Sequence, residues 1–531
     1  MSRGRIDIKL VAVAELFRVE RVLGAGPFRE IGRPRVLDVS PGGRLAVVGG
    51  ELPVPSWNGR WLGSTGHRLA VYRTADLACV HLLATRHPVN AVACHPTLPV
   101  AAVGTGAYDG GFLYKGELLL LNLVTGVTVS AFAGSREVRE VSWRDPRTLD
   151  LVFSIAHDNE FSAHGSTSLT YAIRRADWDR VPDASIEVPA LAYPVADRDR
   201  GTGDVAAAEV ARLSGEHGRA WVPRLAVAAV EALPDGRILA ALDGVRLECW
   251  PPTGADPMWR LAGDGSGCQI KVLPGDRAAL ALTQPRPVFA DRRLTISPSL
   301  VTEVDIDSGT VSRVEEPGFP AVLAARSDGT WAVRDMEGWT HVHRPDGART
   351  TTAGLGRYNP FRHHFDVRRA PDLLFARDDW VVALDAATGD QRRLFPHRGL
   401  SGGYGAHLGD AIVHTGRFCD ERGTPTRPGS FVVRRAYPAG QVQWQFETEE
   451  HADATALDVA DGLVFVTYLT GELLILDATD GSVRARPEIL VEGRRVVPLS
   501  LAHTGRGRLA IGTLDGLILD GSVVPASARP G

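Results

Sequence analysis

The stretch VVALDAATGDQRRLF (residues 381–395) reads as strand, turn, strand. Val381 to Leu384 are apolar and strand-prone, and Asp385 can fold its carboxylate back onto the amides of the turn. Gly389 supplies the positive φ of a tight reversal. The pattern recurs in LLLLNLVTGVTVSAF (118–132), VTEVDIDSGTVSRVE (301–315) and LLILDATDGSVRARP (473–487). Four copies of one turn point to a repeat protein.

A second strand–turn–strand element precedes the hairpin in most units: VLDVSPGGRLAVVGG (36–50), VNAVACHPTLPVAAVGTG (89–106), AVEALPDGRILAALDG (229–244) and LSLAHTGRGRLAIGTLDG (499–516), with VLAARSDGTWAVRDMEG (322–338) and ALDVADGLVFVTYLTG (456–471). The two elements together make a four-stranded antiparallel unit of about 40 residues, the period of a β-propeller blade. Leu45 and Val47 alternate with Ala46 and Val48, apolar on both faces, as packing between two neighbours requires. Units begin near residues 34, 88, 137, 225, 268, 319, 361, 403, 451 and 497, nine or ten in all. A closed propeller has about four to eight blades. The expectation is an all-β fold of two propellers, with one large ring as the alternative.

Residues 1–185 and 225–531 form the two blade regions, and 186–224 interrupts them as a linker or insertion. Within it GDVAAAEVARLSG (203–215) predicts a short helix with Ala206, Val210 and Leu213 on one face. After GLILDG (516–521) little remains for an outermost strand, so an N-terminal strand, IDIKLVAV (6–13) or FRVERVL (17–23), is expected to complete the last blade and cover its edge.

The units resemble WD-repeat-like and quinoprotein-like β-propellers over nearly the whole chain. The earlier ones are WD-like, as in His87-Pro88-Val89 followed by Cys94-His95-Pro96. The later ones are similar to quinoprotein repeats, as in Asp385-Ala386-Ala387-Thr388-Gly389. No tryptophan follows the Thr-Gly turn, and the position where one would stand is Phe395, so the resemblance implies no quinone and no cofactor is expected.

Composition narrows the function. The 531 residues are 44% hydrophobic and 23% charged, a globular balance, and the net charge of −4 argues against nucleic acid as a partner. FRVERVLGAGPF (17–28) imitates the glycine loop of a protein kinase. However, the only lysines are Lys9, Lys115 and Lys271, none on a strand shortly after Gly26, and no His-Arg-Asp or Asp-Phe-Gly run exists. Gly24 to Gly26 are therefore read as a corner. No Gly-x-Ser-x-Gly elbow or Walker loop occurs. The five cysteines are scattered, the apolar run LVAVA near the start is too short for a signal core, and no stretch approaches a membrane span. A bacterial, cytoplasmic protein without a membrane partner is the expectation.

The informative surface lies in the long loops between second and third strands, which propeller topology places on one face. ELPVPSWNGRWLGSTGH (51–67) carries Trp57, Asn58 and Trp61, and AYDGGFLYKG (107–116) carries Tyr108, Asp109, Phe112, Tyr114 and Lys115. AHDNEFSAHGS (156–166) carries His157, Asp158 and Phe161, and QPRPVFADRR (284–293) carries Phe289, Arg292 and Arg293. RFCDERGTPTRPG (417–429) carries Phe418, Asp420 and Arg422. Aromatics interleaved with charges on long loops are the composition of a protein interface. His157, Asp158 and His164 are weak metal candidates in one loop without ordered ligand spacing, so no metal is expected. His341 and His343 share one face of a strand, and His363-His364 are adjacent. The function expected is a non-catalytic scaffold binding a protein partner in a multi-component assembly. The alternative is a propeller-type lyase or hydrolase, or a small-molecule or metal binder, that uses the central channel.

Overall fold

A computed structural model describes residues 17–52, 66–109, 112–134, 136–158, 167–186, 193–195, 203–285, 288–290, 293–352, 354–358, 364–396, 403–419, 425–448, 453–505 and 507–523. It is all-β, built largely of four-stranded antiparallel sheets, with two compact units. The smaller comprises Ala25–Val54 and Leu62–Leu225; the larger comprises Met1–Gly24, Pro55–Trp61 and Ala226–Gly531. No helix among the described residues is long and apolar enough to cross a membrane.

The hairpin turns form as their chemistry dictates. Asp385 Oδ1 accepts the amides of Ala387 and Thr388, both at 2.8 Å, and Gly389 follows at φ +75°. These backbone bonds hold the Asp385 carboxyl below its ordinary range. Asn122 does the same for Val124 and Thr125, Asp305 for Ser308 and Asp477 for Thr479.

In the smaller unit three sheets follow one another. The first is Arg33–Val39, Leu45–Glu51, His67–Arg73 and Cys79–Ala84. The second is Val89–Cys94, Val100–Tyr108, Tyr114–Asn122 and Thr128–Gly134. The third is Val138–Asp145, Thr148–Ser154, Ser168–Arg174 and Tyr193–Val195. Val47, Leu69 and Val71 pack against Val103 and Leu121 between the first two. Ala102, Leu118 and Leu120 meet Leu149, Leu151 and Phe153 between the second and third. The two outer faces are finished differently. Helix Asp204–Glu216, which runs one residue past Gly215, lays Val210 and Leu213 on Ala46, Val48, Ala70 and Tyr72. On the far side of the third sheet Ser142, Arg144, Ala172 and Arg174 are exposed. A stack of sheets that ends needs such ends, one covered and one polar.

The larger unit continues the pattern of successive antiparallel sheets. Val227–Ala232 pairs with the first half of Ile238–Trp250, which turns at Gly244 and pairs onward with the start of Trp259–Val272. The second half of that long strand begins the next sheet, with Ala278–Gln284, Leu300–Asp305 and Val311–Glu315. A sheet beginning at Ala321–Ala325 follows; then Leu373–Arg377, Trp380–Leu384 and Gln391–Pro396 form a three-stranded sheet, while the strand before them, Phe365–Arg368, pairs in parallel with Gly403–Leu408 of the next sheet, and Ala454–Ala460 leads the one after. Pro498–Gly505, Arg508–Thr513 and Ile518–Val523 form the last, whose outermost strand is Phe17–Leu23. The leading strands touch in order, and Pro498–Gly505 contacts Val227–Ala232, where the series began. Apolar clusters lie between neighbours; Leu23, Ala502 and Ile518 pack on Val227, Val230 and Ile238 between last and first.

Tryptophans do dock on the hairpin turns, although from a place the sequence pattern does not indicate. Trp259 donates its indole N–H to the Ile306 carbonyl (2.9 Å) and covers Gly309 of the next sheet. Trp444 donates likewise to Ala478 (3.1 Å) and covers Gly481. Each belongs to the outermost strand of the preceding sheet.

Gly481 lies at φ +73°, and a Cβ there would stand 2.8 Å from the Trp444 ring. Gly481→Ala is expected to cost about 1–3 kcal/mol from backbone strain plus overpacking. Gly462→Ala, at φ +75° with nothing within 4 Å of the added carbon, is expected to cost less, about 1 kcal/mol. Thermal unfolding of both variants checks the order.

Candidate functional site

Two of the loops singled out in the sequence meet in the smaller unit. Strands Val100–Tyr108 and Tyr114–Asn122 stay paired out to Tyr108 opposite Tyr114. Asp109 closes the tip: its Oδ1 accepts the amides of Phe112 and Leu113, both at 3.0 Å. The neighbouring loop is stitched to this tip by backbone bonds, Tyr114 N–H to the Ala156 carbonyl and Asp158 N–H to the Phe112 carbonyl, each 3.2 Å. The side chains lock the pair. Tyr108 donates its hydroxyl to Asp158 Oδ2 (2.7 Å), and the Phe112 ring stacks on His157 at 5.7 Å.

The support below is polar and buried. The Arg139 guanidinium lies 5.5 Å from the Tyr114 ring centroid, and Tyr114 lies 4.7 Å from Tyr108. Arg139 donates to Glu137, to Thr167 and to Ser168. Glu137, fully buried, also accepts from Asn90 (3.1 Å). A fixed base thus carries an exposed apolar tip: Phe112 is 61% exposed, Leu113 40% and Tyr108 39%. Single exposed apolar residues are ordinary, whereas three together on a braced tip form an exposed apolar patch.

The other sequence candidates divide. Tyr114, opposite Tyr108 in the register and on the same face, is buried between the Tyr108 ring and the Arg139 guanidinium and braces the patch. Phe418 is half-buried against Phe431 (5.0 Å) and Val433, so it packs on its own sheet. Phe289 and Arg293 lie on the small hairpin of Val288–Ala290 and Arg293–Thr295. Trp57, Asn58, Trp61, Phe161, His164, Arg292, Asp420 and Arg422 lie outside the described residues. His157 is engaged with Phe112 and Asp158 with Tyr108, and among the described residues no three His, Cys, Asp or Glu side chains group as metal ligands.

The larger unit holds a second polar centre that loop composition does not reveal. Lys271 pairs with Asp366, Arg368 with Glu231 (2.6 Å), and Arg369 with Asp458. Burial pushes the Asp366 carboxyl up, but Lys271 outweighs it and holds the group below its ordinary range. Glu231, Asp366, Arg368, His364, Tyr404 and Ser500 line a cavity of about 30 Å³. That is room for one or two waters.

Of the paired histidines, His341 bonds Thr351 (3.0 Å), while His343 is buried and stacks on Trp331 at 3.9 Å. Burial, with Arg313 and Arg349 nearby, holds the His343 imidazole down to about 4. The unfolded chain takes up this proton near pH 6.5 and the folded chain only near 4. The stability associated with His343 is present above pH about 6.5 and falls as pH drops towards 4. His343→Leu is expected to flatten the acid limb of a stability–pH profile measured by thermal unfolding.

The hydrogen bond to Asp158 pushes the Tyr108 phenol up to about 12, against about 10 for an unfolded tyrosine. Its contribution is present below pH about 10 and lost as pH rises through 12. Asp158→Asn is expected to return one phenol towards 10, read by ultraviolet difference titration against Tyr108→Phe. In comparison with known proteins, the chain matches no protein-family model and no curated protein.

Proposed function

We propose that this chain is a non-catalytic β-propeller scaffold that binds a protein partner through the tip formed by Tyr108, Phe112, Leu113 and His157. The observation that carries the reading is the braced exposure of three large apolar side chains on a loop pair whose base is a buried, fully engaged Glu137–Arg139 network. Aromatic anchors on a pre-ordered surface lose little entropy on docking.

The propeller reading draws support from the larger unit. Its seven leading strands touch in series and return to the first, and an N-terminal strand pairs beside the C-terminal one. Seven blades lie within the range in which such rings close. In the smaller unit, the helix-covered face and the opposite polar face support an open three-bladed stack in place of the second propeller anticipated from the repeat count. The channel-enzyme reading gains little, because the charges at the centre of the larger unit pair with one another around a two-water space.

Phe112→Ser with Leu113→Ser is expected to leave thermal stability within about 0.5 kcal/mol, since both side chains are exposed. Partner recovery from the native host's extract is expected to fall at least about tenfold, as for loss of a hot spot. Undiminished recovery from a folded variant would contradict the reading.

A further inference from the structure

We infer that the seam of the larger unit, where its last sheet meets its first, is a coupling joint: the fold of the smaller unit keeps it shut, and loss of that fold loosens it. The chain of the smaller unit lies wholly between Gly24 and Ala226, and both of these residues belong to the larger unit.

Three observations carry it. First, the strand that ends at the earlier point, Phe17–Leu23, pairs along Ile518–Val523 at the outer edge of the last sheet, yet its side chains reach the first. Arg21 donates to the carbonyls of Pro251 (2.8 Å) and Gly254 (3.3 Å), in the turn after Ile238–Trp250, and forms an ion pair with Asp520 (3.2 Å) in the last sheet. Secondly, the strand that starts at the later point does the reverse. Val227–Ala232 opens the first sheet, while Ala226 donates its N–H to the Leu514 carbonyl (2.9 Å) and the Val227 carbonyl accepts the Ser500 hydroxyl (2.8 Å). Thirdly, Leu23 and Val227 share one buried cluster with Val230 and Ile238, so the two ends of the inserted chain are held together.

The coupling is one of loop entropy. A folded insert holds its ends at a fixed short separation. Once it unfolds, every closing of the seam closes a free loop of about 200 residues, and that penalty rises with the three-halves power of loop length. Phe17–Leu23 pairs on one side only, so it is the element that gives way first.

The test is hydrogen exchange of the full chain, followed in the seam strands Phe17–Leu23 and Ile518–Val523, with Trp331–Asp335 of the larger unit as control. Leu149→Asp with Leu151→Asp puts two charges into the fully buried core of the smaller unit and unfolds it. Exchange in the seam strands is then expected to quicken at least about tenfold, while the control strand keeps its protection. Arg21→Met, in a chain whose smaller unit stays native, is expected to quicken the same two strands at least about tenfold through loss of its charged hydrogen bonds. Seam exchange as slow as in the parent chain, in a double variant whose smaller unit exchanges freely, would overturn the inference. So would an equal loss of protection at Trp331–Asp335, because the units would then unfold as one body. Unchanged seam exchange in Arg21→Met would overturn it too, since the joint would not be held where Arg21 holds it.

Discussion

The larger unit depends on a run of four residues, Asp366 to Arg369, three of which send a charge to another sheet. Asp366 takes Lys271, Arg368 takes Glu231, and Arg369 takes Asp458. Asp458 also accepts the backbone N–H of His503 in the last sheet (2.8 Å), and Ser500 there donates to the Val227 carbonyl in the first (2.8 Å). Arg369 is half exposed, but Lys271, Asp366, Arg368 and Glu231 are largely removed from water, and each of these needs its partner, because an orphaned buried ion costs about 3–5 kcal/mol. Apolar packing between sheets is tolerant of small slips, whereas a set of ion pairs radiating from one strand fixes which sheet lies where.

The legible parts of the fold were the local ones. Asp385 and Gly389 are four residues apart, so the turn could be read from spacing, and the Ala206, Val210 and Leu213 face of the helix was visible for the same reason. The charged centre was not legible, since Asp366 meets a lysine 95 residues away and Arg368 a glutamate 137 residues away. In a quinoprotein-like repeat the docking tryptophan follows the turn, where this chain has Phe395. Here the docking tryptophans come instead from the outer strand of the previous sheet, and a repeat pattern records what recurs within a unit more readily than what passes between units.

The candidate surface shows the same division. Loop composition brought out Tyr108, Phe112 and His157, because aromatics on a long connector are conspicuous. It did not separate Phe112, 61% exposed, from Tyr114, 8% exposed, because Tyr114 is covered by Tyr108 and by Arg139, which is remote in sequence. Nor did it indicate Glu137 and Arg139, which lie just before and within the following strand, Val138–Asp145, and hold the tip from beneath. Leu113 is in sequence an ordinary apolar residue of the hairpin, yet it stands beside Phe112 at the surface.

The account makes the charges on Asp366 to Arg369 the keystone of the larger unit, and a double-mutant cycle on Arg368 and Glu231 tests this most directly. Arg368→Met, Glu231→Gln and the double variant would be compared by urea unfolding. Each single change is expected to cost about 3–5 kcal/mol, and the double change less than their sum by at least about 1.5 kcal/mol. Costs that simply add would contradict the account, because they would mean that the two charges do not hold one another.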